Sequence, residues 1–281
     1  MSSIEIKNLS KSFGSVQALK NVTLTLGGDK IYALLGRNGA GKSTLLKIIT
    51  NRLFADSGEV TLDNTTLTEN DKTLGQIYLM SESTYYPESM KITKAFKWSK
   101  EFYPNFDTEY AQKLAEKFEL NINKSVKSLS TGYSSIFKLI IALSVNTPFI
   151  FLDEPVLGLD ANHRDLFYQV LAERYSENPS TIVISTHLIE EISGLVEDVI
   201  IINNGEIIRN ESCENLLASG YTISGKAAAV DEFIKDKEVI GQDSLGGLKT
   251  AYLIGKAENV PQGLEVSKLD LQKLFVKLTS N

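Results

Sequence analysis

Several residues in this sequence are spaced for chemistry on a phosphate chain. Gly36-Arg37-Asn38-Gly39-Ala40-Gly41-Lys42-Ser43 is a run of loose backbone that ends in a cation and a hydroxyl, with Thr44 behind it. Main-chain N–H groups can curl round a phosphate only where glycine permits the dihedral angles and the close approach. A lysine there reaches the β- and γ-phosphates, and the serine hydroxyl ligates Mg2+. Asp153 and Glu154 end the segment "FIFLDEP". The first is a second metal ligand and the second a carboxylate able to take a proton from water. His187 ends "ISTH" and is one of two histidines in the chain. The competing readings are a glycine turn that binds nothing, a solvated acidic strand end and a satisfied structural histidine. Three sites on one theme favour binding of ATP with Mg2+ and attack on its γ-phosphate.

These residues need particular elements to hold them. Ile31 to Leu35 reads as a buried strand ahead of the glycine loop, and Lys42 to Asn51 as a helix behind it. The helix N-terminus then adds unpaired N–H groups and partial positive charge at the phosphate. "PFIFLDEP" and "TIVISTH" are apolar and partly β-branched, like strands buried on both faces of a parallel sheet. "IEIKNLSKSF", "NVTLTLGG" and "SGEVTLDN" read as further strands, and Asn204-Gly205 as a hairpin turn. From about 83 to 147 the character is helical. Asp107 is the N-cap of a helix with Tyr110, Leu114 and Phe118 on one stripe, and "SIFKLIIALSV" is a buried helix that stops before Pro148. After about Gly220 the pattern is β-α-ββ-β-α. The fold expected is α/β: a P-loop NTPase with a mixed-sheet core, an antiparallel β subdomain, a helical insertion and a small C-terminal α+β domain. The domains run over 1–216 and 217–281.

Composition narrows the setting. The chain has 281 residues, enough to bury a full core, and one cysteine, Cys213, so no internal disulfide forms. Its net charge is −6, with no basic cluster that marks a nucleic-acid surface. No secretory leader is read at the N-terminus. Apolar runs such as "LIIALSV" fall far short of the roughly 18 residues of a membrane span.

Gly36 to Ser43, then "LSTGY", "FIFLDEP", "LGLD" and "STH", in this order and at these spacings, resemble the ATP-binding cassette (ABC) ATPases over about residues 4 to 216. The resemblance implies two cassettes closing head to tail on two ATP molecules, each P-loop facing the partner's signature segment. Here that segment is Leu129 to Tyr133, with Ser130 and Gly132 on the γ-phosphate contacts, and Thr131 and Tyr133 in place of a glycine and a glutamine. The resemblance puts Phe13 on adenine, where the competing reading is a core phenylalanine. It puts Asp160 in the loop that crosses the dimer. Its metal-contacting glutamine falls nearest Glu82, with Gln76 the other candidate. It implies a separate transmembrane permease subunit and a second ATPase subunit as partners. The location implied is the cytoplasmic face of the cell membrane. The helical segment and tail are similar to cassettes of small bacterial exporters for peptides, antibiotics or lipids, including the phenol-soluble-modulin type. Tyr85, Tyr86 and Met90 are candidates for a groove that receives the permease. The alternative is a non-transport or regulatory cassette that hydrolyses slowly.

Overall fold

The computed structural model describes residues 2–279. β1 (Ser3–Phe13) and β2 (Val16–Gly27) form a long antiparallel hairpin that turns at Gly14. The sequence reading placed a strand from Asn21 onward; the structure starts it at Val16, because pairing with β1 carries the less apolar "VQALK" into the ladder. β3 (Ile31–Leu35) is buried at every residue and leads through the glycine loop into α1 (Lys42–Ile49). β4 (Ser57–Leu62) and β5 (Thr65–Thr66) complete the antiparallel sheet, in the order β2-β1-β4-β5.

α2 (Asp71–Leu74) precedes β6 (Ile77–Met80), and the chain then enters the helical region: α3 (Ile92–Phe102), α4 (Thr108–Lys117) and α5 (Thr131–Ser144). Asp107 caps α4 as its side chain accepts from Tyr110 N at 2.8 Å. β7 (Phe149–Asp153), α6 (Ala161–Glu177), β8 (Thr181–Ser185), α7 (Ile189–Ile192), β9 (Asp198–Asn203) and β10 (Glu206–Ser212) close the cassette. The central sheet runs β10-β9-β3-β8-β7-β6, parallel throughout except for β10, which pairs antiparallel with β9. Its register sets Met80 beside Leu152, Asp153 beside Ser185 and Leu34 beside Ser185. The strands therefore end level, and the segments after β3, β6, β7 and β8 leave at one edge. In a parallel sheet that carboxyl edge is where ligands bind.

One face of this sheet packs with α1 against the antiparallel sheet, through residues such as Leu24, Leu45, Phe151 and Ile200. The other packs against the helical region through Phe137, Ile140, Leu152 and Phe167. α8 (Cys213–Ala218) leads to the tail: β11 (Gly220–Lys226), α9 (Ala227–Phe233), β12 (Val239–Leu245), β13 (Leu248–Ile254), β14 (Glu265–Lys268) and α10 (Leu271–Thr279). The four strands form an antiparallel sheet in the order β12-β13-β11-β14, with α9 over Ile223 and Leu253. α10 does not stay within the tail. Leu271 and Leu274 join the larger core together with Ile189 and Leu216, so tail and cassette share apolar packing. Among the described residues no helix is long and apolar enough to cross a membrane.

Candidate functional site

The glycine loop owes its shape to two constraints. Gly41 has φ near +113°, and a Cβ there would lie 2.6 Å from the Ala18 carbonyl oxygen, so no L side chain fits. α1 starts at Lys42 without a side-chain cap, which leaves its first N–H groups to a ligand. Arg37, Asn38, Gly39, Ala40, Gly41, Lys42, Ser43 and Thr44 line a cleft of about 290 Å³ with Ala18 and Glu154. Gly36 is buried at its base, and the Lys42 ammonium donates to the Gly36 carbonyl at 2.6 Å. Burial pulls that ammonium below the usual lysine value, and the charges of Glu154 and Asp153 pull back. The cation is folded onto its own loop, within reach of the cleft. Arg37 extends the opposite way, its Nη1 donating to the carbonyl of Thr279 at the end of α10 (3.3 Å).

The acids come from β7. Asp153 is the last residue of the strand, and Glu154 breaks from it with φ near +50°, held as its N–H donates to the Ser185 carbonyl at 2.8 Å. A glutamate in this left-handed region costs on the order of 1 kcal/mol or more. The turn aims the side chain at His187, whose Nδ1 lies 2.9 Å from Glu154 Oε2. These residues are 33 apart in sequence and meet because β7 and β8 are parallel neighbours in register.

A second cavity, about 590 Å³, opens between the sheet edge and the helical region. Its lining includes Ser43, Glu82, Asp153 and Glu154 together with Leu129 and, from the start of α5, Thr131, Ser134 and Ser135. Asp153 Oδ1 and the neighbouring Ser185 Oγ are buried with no protein partner. A buried carboxylate oxygen of this kind needs a partner. With the Ser43 hydroxyl it makes a hard, oxygen-only donor set of the kind that suits Mg2+, which keeps most of its shell for water and phosphate. Among the described residues no cluster of three or more histidine, cysteine or acidic side chains forms a metal cage. The donors thus fit an ion completed by its nucleotide.

Gln76, the other candidate for the glutamine position, sits before β6, at the end of the sheet away from these loops. Phe13 is half exposed (50 %) with Lys11 over its ring at 5.6 Å, so it is not a core residue; it lines neither cavity. Ser130, Gly132 and Asp160 are not themselves among the lining residues of either cavity, although Thr131, between the first two, lines the larger one. Ser130 caps α5, its hydroxyl accepting from Tyr133 N at 3.3 Å. A Cβ on Gly132 would lie 2.8 Å from the Gly158 carbonyl, and Ser135 Oγ donates to the Leu157 carbonyl at 2.7 Å. Asp160 caps α6, accepting from His163 N, and its other oxygen meets His163 Nδ1 at 2.9 Å. His163, which the sequence suggests is a surface residue, is half-buried against Phe118 and Tyr133. The sequence reading missed this bridge, and it missed Lys138, whose signal was a lone charge in an apolar helix.

Tyr85 and Tyr86 line an apolar groove of about 440 Å³ with Arg52, Tyr78, Trp98 and Tyr103, and the Arg52 guanidinium lies 4.1 Å over the Tyr85 ring. Met90, the third groove candidate, is instead buried in the larger core.

A family profile described as ABC transporter matches residues 19–157. The ABC transporter ATP-binding protein YtrB of Bacillus subtilis (strain 168) is 32% identical over 201 residues, 69% of each chain. The ribose import ATP-binding protein RbsA of Caldanaerobacter subterraneus subsp. tengcongensis is 29% identical over 218 residues, 73% of this chain but only 44% of that one, so the match spans less than half of that relative. Among solved structures, the dimeric ABC transporter cassette MJ0796 superposes with a TM-score of 0.66 at 25% identity, over 75% of this chain and 98% of that one.

Proposed function

The chain belongs to the ABC transporter family as an ATP-binding subunit whose ATP hydrolysis is coupled to transport, and on that premise we propose how its site works and what it serves. The observation that carries the reading is the Glu154–His187 contact at 2.9 Å beside the cleft that holds Lys42 and Ser43. The amides of residues 37–44 and the N-terminus of α1 receive the β- and γ-phosphates. Lys42 turns from the Gly36 carbonyl to those phosphates. Glu154 takes a proton from water as the water oxygen bonds to the γ-phosphorus. The bond from that phosphorus to the β–γ bridging oxygen breaks, and ADP is the leaving group. His187 orients the Glu154 carboxylate through Nδ1, which leaves its second nitrogen for the γ-phosphate. Ser43 and Asp153, with Glu82 of the same cavity lining, would hold Mg2+, which when bound draws charge from the phosphate oxygens.

Each site needs a second cassette. The related cassette MJ0796 is dimeric, and its post-hydrolysis dimer binds ADP and Pi. In this chain Ser130 and Gly132, at the N-terminus of a 14-residue helix, serve the partner's γ-phosphate, and Asp160 lies in the adjoining loop. Replacing Ser130 with arginine leaves ATP binding to the monomer unchanged and abolishes ATP-dependent dimers in size-exclusion chromatography. Dimers that persist in that variant overturn the head-to-tail arrangement. Phe13, exposed at the end of β1, serves in this proposal as the adenine platform.

The membrane partner is a separate permease that seats a short helix in the Tyr85–Tyr86 groove, holding the subunit at the cytoplasmic face. We assign the transport as export of peptides, antibiotics or lipids. This rests on the resemblance read from the helical segment and tail in the sequence; relatives of the cassette include import proteins such as the ribose-import protein RbsA. Co-purification with the permease, followed by vesicle transport assays, tests this. ATP-driven efflux of one of those substrate classes bears it out, and ATP-driven uptake overturns it.

A further inference from the structure

α5 is apolar on nearly every face, yet its run "SIFKLIIALSV" carries one charge, Lys138. A lysine stem can lie along apolar surface, but its ammonium must find water or acceptors. The Lys138 Nζ donates to two main-chain carbonyls, those of Ser81 at 3.1 Å and Glu82 at 2.7 Å. Both belong to the segment that leaves β6 at the ligand edge of the sheet, 57 and 56 residues away in sequence. Lys138 and Glu82 both line the 590 Å³ cavity that Ser43, Asp153 and Glu154 also line. Burial lowers the Lys138 ammonium from its usual value, and the Glu82 charge opposes that shift.

This arrangement has a use. The cavity lining that includes Ser43 already carries the carboxylates of Asp153 and Glu154. A third at position 82, where a neutral amide would add no charge, repels a triphosphate unless a cation stands beside it. Lys138 lies seven residues beyond Thr131, about 10 Å along the helix axis. Movement of the α5 N-terminus, with its Ser130 cap, therefore moves the anchor of Glu82.

We propose that Lys138 is the positioning residue for Glu82: it ties the Ser81–Glu82 main chain to the helix that begins at the signature segment, and it supplies the counter-charge that lets a carboxylate face the triphosphate. The proposal rests on the ATP site described above. It implies that residues 82 and 138 work as a pair, so that the cost of losing the lysine depends on the acid.

The test is a four-protein cycle of the full chain: wild type, Lys138→Met, Glu82→Gln and the double variant, with ATP affinity measured by calorimetry with and without Mg2+. Without Mg2+, where Glu82 has no metal to hold, Lys138→Met weakens ATP binding about tenfold and the double variant returns to the Glu82→Gln value; with Mg2+, Glu82→Gln additionally loses its share of the metal-dependent gain in affinity. The loss in Lys138→Met shrinks as salt is raised, because it is electrostatic. Lys138→Arg, which keeps charge and donors, binds as wild type. A double variant as weak as Lys138→Met, or a Lys138→Met protein that binds as wild type, overturns the pairing. If Lys138→Met loses its cooperative melting transition, Lys138→Gln replaces it in the same cycle, since it can still donate to a carbonyl without the charge. Failure of the wild type to bind ATP sinks the site itself; wild-type binding without coupling between 82 and 138 sinks only this pairing.

Discussion

Glu154→Gln lowers ATP turnover by about 10²–10⁴-fold and leaves ATP bound. The substitution preserves size and keeps an oxygen for the His187 contact, but an amide cannot accept the proton of the attacking water. Its backbone position, with φ near +50° and N–H held by the Ser185 carbonyl, is set by the β7–β8 register rather than by the charge. The fold and the cleft therefore persist. With Mg2+ and ATP the variant accumulates as a dimer in size-exclusion chromatography, because closure proceeds and reopening waits on hydrolysis. Turnover near wild type would remove Glu154 from the role of base and leave the nearby Asp153 or His187 to account for it.

Lys42→Ala weakens ATP binding by roughly 10- to 150-fold, the equivalent of about 1.5–3 kcal/mol for charge-assisted bonds to phosphate. The Lys42 ammonium is buried and its charge is disfavoured there, so removing it does not cost the nucleotide-free protein a stabilising ion pair. Thermal unfolding separates the two effects. The wild type melts higher as ATP is added, by linkage to binding, while Lys42→Ala melts close to the nucleotide-free wild type and loses most of that shift. An ATP-induced shift equal to that of the wild type would count against the loop as the phosphate seat.

The chemistry was legible where it is contiguous. Eight consecutive residues from Gly36 to Ser43 carry amides, cation and hydroxyl, and their flanking strand and helix show in the apolar pattern. Asp153 and Glu154 stood out because two acids end a strand that is otherwise buried. The β-α-ββ-β-α order of the tail followed from alternation and turns, and the structure has those elements in that order. The start of β2 was not legible, because its pairing with β1 rather than its composition makes it a strand. Nor was the half-buried place of His163, which depends on Phe118 and Tyr133 arriving from other helices.

The sequence by itself determined which groups are present: a loop that can wrap a phosphate, two acids at a strand end, a histidine at the next and an uncapped helix to receive charge. Those properties follow from local covalent geometry and hydrophobic periodicity, which a short window contains. Only the tertiary structure decided which groups meet. Strand register brought Glu154 to His187, helix packing brought Lys138 to the carbonyls of Ser81 and Glu82, and the shared core brought α10 to the phosphate loop. Each contact joins segments tens to hundreds of residues apart, and their spacing is fixed by burying common apolar surface, which no local stretch of sequence encodes.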